Sequence, residues 1–347
     1  MAHVVSCSPT RRPSYSATVR RLVALLFASA LVVSCTAADD TSAPVTSPVT
    51  AVPTGPESST DGSTTTLSVT TVVPSTVVTV PVPGLDPTAQ RPFDVFAPSS
   101  YSPDTAMPLV VLLHGFGASG AIQEAYFQLQ PLAEERGFLY VHPDGTINSI
   151  GRAFWNATDA CCGFDSTVDD SAYLLALIDK VQDDFNVDPK RIYLVGHSNG
   201  GFMSYRMACD HADKIAAIAS LAGATFLDES KCNPSEPVSV LQIHGTADGI
   251  IPYGGGSIFG NGHPSAPATV ATWAGYDGCA TAGDEVSNAL DLDANLAGAE
   301  TSTLVYESCP SGVDVELWTI DGGAHIPART AEMSIGIIDF LFAHPKP

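Results

Sequence analysis

Basic residues are scarce in this chain. Its 347 residues include 15 lysines and arginines against 37 aspartates and glutamates, a formal net charge of −22. Such a surface repels nucleic acid and anionic membranes and favours neutral or apolar ligands. No apolar run reaches the ~18 residues that cross a bilayer. No C-x-x-C pair and no Cys/His cluster at ligand spacing occurs, so nothing points to a metal, and no cofactor is implied. There is also no internal repeat.

The N-terminus has the layout of an export signal. Arginines at 11, 12, 20 and 21 precede an apolar run from Leu22 to Val33, then Ser34 and Cys35. Val32-Val33-Ser34-Cys35 has the form of a bacterial lipobox, in which Cys35 is lipidated and becomes the mature N-terminus. An ordinary cleavage nearby, with Cys35 incidental, is the alternative. Loss of residues 1–34 removes four arginines and leaves 11 basic against 37 acidic residues, a net charge of −26.

Residues 36–83 are rich in Thr, Val, Ser and Pro, hold no lysine or arginine, and predict a disordered stalk. At about 3 Å per residue where extended, such a stalk holds a following domain well away from its anchor. The reading is an extracellular protein, tethered at the cell surface through a lipid or released, whose only route to the membrane is that anchor. Composition is silent on oligomeric state.

From residue 84 to 347 the pattern becomes that of an α/β domain, a mostly parallel sheet with helices on both faces and no large lid. Continuous apolar runs, as in strands buried on both faces, lie at Leu109–Leu113, Phe138–Val141, Ile192–Val195 and Val238–Ile243, with another strand at Val313–Ile320. Residues 169–185 place Tyr173, Leu174, Leu177, Ile178, Val181 and Phe185 on one helical stripe, capped by Asp169 or Asp170. Further helices are predicted near 122–136, 200–210, 266–276 and 328–342. Six cysteines, Cys161, Cys162, Cys209, Cys232, Cys279 and Cys309, favour disulfides in an exported chain, with 15 connectivities open.

Between the strand ending at Val195 and the helix from Gly200 lies Gly196-His197-Ser198-Asn199-Gly200-Gly201, a G-x-S-x-G pattern. Glycines permit the sharp turn that lifts a serine out of a sheet, at a helix N-terminus that favours developing negative charge. A serine hydroxyl needs a histidine to take its proton, and the histidine needs an acid to fix its tautomer. In chain order the acid and then the histidine follow the serine.

Asp248, in the turn His244-Gly245-Thr246-Ala247-Asp248 after a buried strand, is the best acid, ahead of Asp321 and of Asp291 and Asp293 in an acidic insertion that reads as solvated. His325, in Asp321-Gly322-Gly323-Ala324-His325, is the best base. His344 reads as part of a frayed tail, His263 as a loop residue and His244 as a satisfied core imidazole. Upstream, His114-Gly115-Phe116-Gly117 predicts that backbone amides of Phe116 and Asn199 form the oxyanion hole.

These blocks resemble the secreted polyhydroxybutyrate depolymerase and feruloyl or acetylxylan esterase family of α/β-hydrolases. The likeness runs from about Arg91 to Phe342. Besides the motifs above it rests on Leu112-Leu113-His114-Gly115, Trp155-Asn156, Cys161-Cys162-Gly163, Val168-Asp169-Asp170 and Pro252-Tyr253. It implies ester hydrolysis through an acyl-enzyme without metal, and substrates drawn from extracellular polymers. It also implies Ser198, Asp248 and His325 as the triad, and pairs Cys209 with Cys232 and Cys279 with Cys309, leaving Cys161 for Cys162.

Relatives commonly carry tryptophan and proline after the histidine, where this chain has Ile326-Pro327. Trp155 is the remaining aromatic candidate for lining the cleft, packing beneath a loop being the alternative. Two other functions compete: a serine peptidase on the same fold, and a surface lipoprotein that binds polysaccharide or polyester without catalysis.

Overall fold

The computed structural model describes residues 87–163, 166–283 and 285–347. The predicted export signal, Cys35 and the predicted stalk lie outside them. Eight strands build the main sheet: β1 (Val95–Phe96), β2 (Met107–Leu113), β3 (Leu139–Val141), β4 (Val187–His197), β5 (Ala217–Leu221), β6 (Ser239–Gly245), β7 (Thr301–Glu307) and β8 (Val315–Ile320). Their order is β1-β3-β2-β4-β5-β6-β8-β7, extended at the β7 edge by Thr281–Ala282 and Val286–Leu290. The six strands from β3 to β8 run parallel, and the outer strands are antiparallel.

Strand β2 shows why a continuous apolar run becomes a central strand. All seven of its residues are buried; Leu109, Val111 and Leu113 join one core and Val110 and Leu112 the other. Both faces of the pleat are thus covered. Helices α3 (Asp170–Asp184), α4 (Asn199–Asp210) and α5 (Ala266–Asp277) pack on the first face; α1 (Gly120–Phe127), α2 (Leu129–Arg136) and α6 (Ala331–Ala343) pack on the second. Asp169 is the cap of α3, accepting the Ala172 amide at 3.0 Å.

Three sequence expectations need correction, and two strands were not foreseen. The helix predicted at 122–136 is two helices, broken at Gln128 with φ 54°. Pro131 has no N–H to give the Phe127 carbonyl, which accepts the Ser334 hydroxyl at 2.6 Å instead, while Glu124 caps the second helix at the amides of Leu129 and Gln130.

Strand β5 was not foreseen, because its Ala-Ile-Ala-Ser-Leu run is short and mostly small. Those small residues let α4 approach: a Cβ added to Gly201 would lie 2.6 Å from the Ser220 hydroxyl. Strand β7 was equally hidden, since its flanks read as a polar insertion.

Asp293 is not solvated. It is 4% exposed, and its Oδ1 accepts the amides of Asn295 and Ala328 at 3.0 Å each. Nor is His344 in a frayed tail, for it is buried with Nε2 2.8 Å from Asp314 Oδ2.

One buried carboxyl sets a pH dependence. Asp277 is 2% exposed, accepts the Val238 amide through Oδ1, and has no partner for Oδ2 among the described residues. Burial pushes its pKa up from 3.8 to about 7. The folded state therefore keeps this proton up to about pH 7 while the unfolded chain releases it near 3.8, so stability falls as pH rises across that window. Urea titrations of Asp277→Asn should show a flatter pH dependence between 4 and 7 than the parent; equal slopes would refute it.

Candidate active site

Strand β4 ends at His197 and α4 begins at Asn199, so Ser198 alone makes the turn, at φ 53° and ψ −119°. A non-glycine residue at positive φ is strained, and such strain persists where the surroundings enforce it. Here the flanking glycines remove every obstacle. A Cβ on Gly196 would sit 2.1 Å from the Gly200 carbonyl oxygen, and one on Gly200 would sit 2.1 Å from that of Leu113. The Ser198 amide donates to Leu221 O at 2.8 Å, tying the turn to β5. The Asn199 side chain pairs with Trp155 on both sides, Oδ1 accepting its amide at 2.7 Å and Nδ2 donating to its carbonyl at 2.9 Å.

Asp248 follows β6 and His325 follows β8. These strands are parallel neighbours, with Gly245 opposite Ile320, so both loops leave the sheet at one edge. His325 Nδ1 lies 2.7 Å from Asp248 Oδ2. Asp248 Oδ1 accepts the amides of Ile250 and Ile251, each at 2.8 Å. His244 Nε2 approaches Oδ2 at 3.4 Å while donating to Ile251 O at 2.8 Å.

Burial alone would raise the pKa of Asp248, but hydrogen bonds from His244, His325 and the Ile250 amide and the nearby imidazole hold it well below the carboxylate range. The ionised carboxylate puts the His325 proton on Nδ1 and leaves Nε2 as an acceptor. Among the described residues no hydrogen bond joins Ser198 Oγ to His325 Nε2, a contact that in unliganded sites often forms only with substrate.

His197, the variable residue of the G-x-S-x-G pattern, holds the histidine loop from below. Burial and the neighbouring His325 push its pKa down to about 4, so it is neutral, and its Nε2–H donates to the His325 carbonyl at 3.0 Å. Its role was not read from the sequence, where that position is free to vary.

Tyr126 donates to Pro327 O at 2.9 Å and Asp293 accepts the Ala328 amide, so the loop is gripped on its far side as well. His197→Ala should lower kcat by about 10- to 100-fold with little change in KM, the usual 1–3 kcal/mol for stranding a buried partner. A KM rise with unchanged kcat would show the loop is not what His197 positions.

The loop after β2 runs against the nucleophile. A Cβ on Gly115 would come within 3.5 Å of Ser198 Cβ. Gln123 Oε1 accepts the Gly115 amide at 3.0 Å and Ala153 O accepts that of Gly117 at 2.7 Å, which fixes the backbone on either side of Phe116. His114 Nε2 accepts the Gly145 amide at 2.9 Å, so its proton sits on Nδ1.

Trp155 has no exposed surface and cannot line a cleft. Its Nε1 donates to His114 O at 3.1 Å and its ring stacks on Tyr173, so it supports the loop from beneath. The disulfides are Cys161–Cys162, Cys209–Cys232 and Cys279–Cys309.

The parallel sheet, the serine elbow and the chain order of Ser198, Asp248 and His325 are those of the α/β-hydrolase fold. The model of the phospholipase/carboxylesterase family matches residues 100–266.

Feruloyl esterase B of Piromyces equi is 33% identical over 236 residues, 66% of this chain and 41% of that protein. A bifunctional acetylxylan esterase/xylanase of Neocallimastix patriciarum is 32% identical over 165 residues, 48% and 22% of the two chains. This chain thus spans less than half the length of either relative. Feruloyl esterase D of Neurospora crassa is 27% identical over 252 residues, 69% and 75%. Among solved structures, the acetyl xylan esterase from Aspergillus awamori shares the fold with a TM-score of 0.53 at 13% identity, covering 72% of this chain and 93% of that one.

Proposed function

We propose that the protein hydrolyses carboxylic esters through an acyl-enzyme on Ser198, acting on feruloyl or acetyl groups carried by polysaccharide. The Asp248–His325 hydrogen bond, set at the sheet edge where the Ser198 elbow rises, carries this reading.

His325 Nε2 takes the Ser198 proton as Oγ attacks the ester carbonyl. Backbone amides of Phe116 and Asn199 receive the developing oxyanion, each worth about 3–4 kcal/mol in such sites. The imidazolium, stabilised by ionised Asp248, gives its proton to the departing sugar hydroxyl. Water then attacks the acyl carbonyl as it gives a proton to His325, which returns it to Ser198 Oγ as that oxygen departs and the acid is released. The names of the relatives support the acyl groups and the polysaccharide. Hydroxybutyrate oligomers, the other substrates of the resemblance, lack that support.

Three disulfides favour an oxidising, extracellular setting. Anchoring through Cys35 is part of the same reading, and a lipid label lost in Cys35→Ala would support it.

The test of function uses the full chain. It should turn over p-nitrophenyl acetate and methyl ferulate faster than peptide amides, and a fluorophosphonate should label the peptide containing Ser198. Peptide turnover that exceeds ester turnover, or a label elsewhere, would overturn the proposal.

A further inference from the structure

A cavity of about 810 Å³, to which neither Ser198, Asp248 nor His325 contributes, is lined in part by α4, the helix that starts at the nucleophile. Its floor begins at Asn156, the residue after the tryptophan clasped by Asn199. One wall is α4 at Arg206, seven residues past Asn199 and so about 10 Å further along the helix. Opposite stands a hairpin of Gly256–Ile258 paired with Asn261–His263. His263 at its base packs edge to face on Phe202, one turn into α4. The cavity therefore opens along the helix that carries the nucleophile.

The lining is polar but electrically balanced. Arg206 pairs with Asp210 at 3.1 Å and Lys231 pairs with Asp159. Two cations and two carboxylates cancel, in a chain whose net charge is −22. A phosphate or a uronate gains nothing from such a site, while an uncharged molecule with many hydroxyls finds donors and acceptors together. Arg206 uses Nε on Asp210 and Nη1 on the carbonyls of Asn156 and Ala157. Its Nη2 has no protein partner among the described residues.

The hairpin tip adds an apolar face. Phe259 and Gly260 form the turn, at φ 49° and 94°, and Phe259 is 86% exposed. A turn with both central residues at positive φ calls for Asn or Gly at its first position. A bulky aromatic there is strained and, at that exposure, unfavourable in water, a combination that occurs at ligand clamps. An aromatic face is electron-rich and attracts the C–H face of a sugar ring.

We infer that this cavity is a subsite for the neutral sugar backbone of the substrate, with Phe259 as a stacking platform at its rim. The inference rests on the polysaccharide-ester reading and names where the polymer lies while its ester is at Ser198.

The test separates the two. Full-length Ser198→Ala protein, which cannot consume substrate, is titrated calorimetrically with unesterified xylo-oligosaccharides and, separately, with oligogalacturonate. Saturable binding of the neutral oligosaccharide, weakened about three- to tenfold by adding Phe259→Asn, is expected. Asn suits the turn, so the variant keeps the fold, which an unchanged or raised melting temperature confirms.

In the active enzyme, Phe259→Asn should lower the ratio of acetylated or feruloylated xylan turnover to p-nitrophenyl acetate turnover by a similar factor. No binding of xylo-oligosaccharide, tighter binding of oligogalacturonate, or an unaltered ratio would overturn the subsite. Absence of ester turnover in the parent enzyme would instead defeat the reading on which it rests, and the titration would still report on the cavity.

Discussion

Ser198→Ala is expected to lower kcat on p-nitrophenyl acetate by about 10⁶-fold, and Asp248→Asn by about 10⁴-fold, with both proteins folded. The first removes the attacking atom. The second is the more informative, because the geometry dictates how it fails.

Asp248 Oδ1 is fixed by two obligate donors, the amides of Ile250 and Ile251, and Oδ2 faces His325 Nδ1. In the variant the carboxamide oxygen stays with the two amides, so its NH₂ must face Nδ1. The imidazole then accepts at Nδ1 and carries its proton on Nε2, where it cannot take one from the serine. Near-ultraviolet circular dichroism should match the parent. Retention of more than a tenth of parental kcat would show that Asp248 does not set the tautomer.

Asp170→Ala should cost about 3–5 kcal/mol of stability, the usual penalty for removing one partner of a buried ion pair. Asp170 is fully buried at the first turn of α3. Its Oδ1 accepts from Arg91 at 2.6 Å and from the Thr146 hydroxyl at 3.1 Å, and its Oδ2 accepts the Asn156 amide at 2.6 Å. Arg91 also lies 3.6 Å over the Tyr173 ring.

One carboxylate thus ties together four segments far apart in the chain, and its loss leaves a guanidinium and two donors without an acceptor. The neighbouring Asp169→Ala loses only an exposed cap and should cost about 1 kcal/mol. Urea titrations of both variants test this, and a loss under 1 kcal/mol at Asp170 would refute it.

The parallel strands were legible because burial on both faces writes an unbroken apolar run, as at Leu109–Leu113. Strand β5 was not, because the close approach of α4 demands small residues, and alanine carries no strand signal. The elbow was legible from Gly196 and Gly200, whose side chains the backbone of Gly200 and Leu113 excludes. Asp248 and His325, chosen for their strand-end positions, are brought into hydrogen-bond contact.

The supporting residues escaped notice for a common reason. His197, Asp293 and Tyr126 act on His325 or its loop through single hydrogen bonds across large sequence separations, and no local pattern records such pairs. Trp155 misled because an aromatic near a serine reads as a wall of the cleft, whereas its indole N–H is spent on His114 O beneath the loop.

Between β6 and β8 the chain leaves the sheet, builds α5, the Phe259 hairpin and β7, and returns to the adjacent place with Gly245 still opposite Ile320. The acid and the base are therefore mounted on fixed posts, and of what is threaded between them the exposed hairpin tip at Phe259 can be exchanged while α5, β7 and Asp293 keep their places in the core and on the His325 loop. Lengthening such an excursion costs little, about 0.6 kcal/mol for each doubling of a flexible loop. Lengthening or replacing that tip should alter what reaches the site while leaving the pairing of Asp248 with His325 undisturbed.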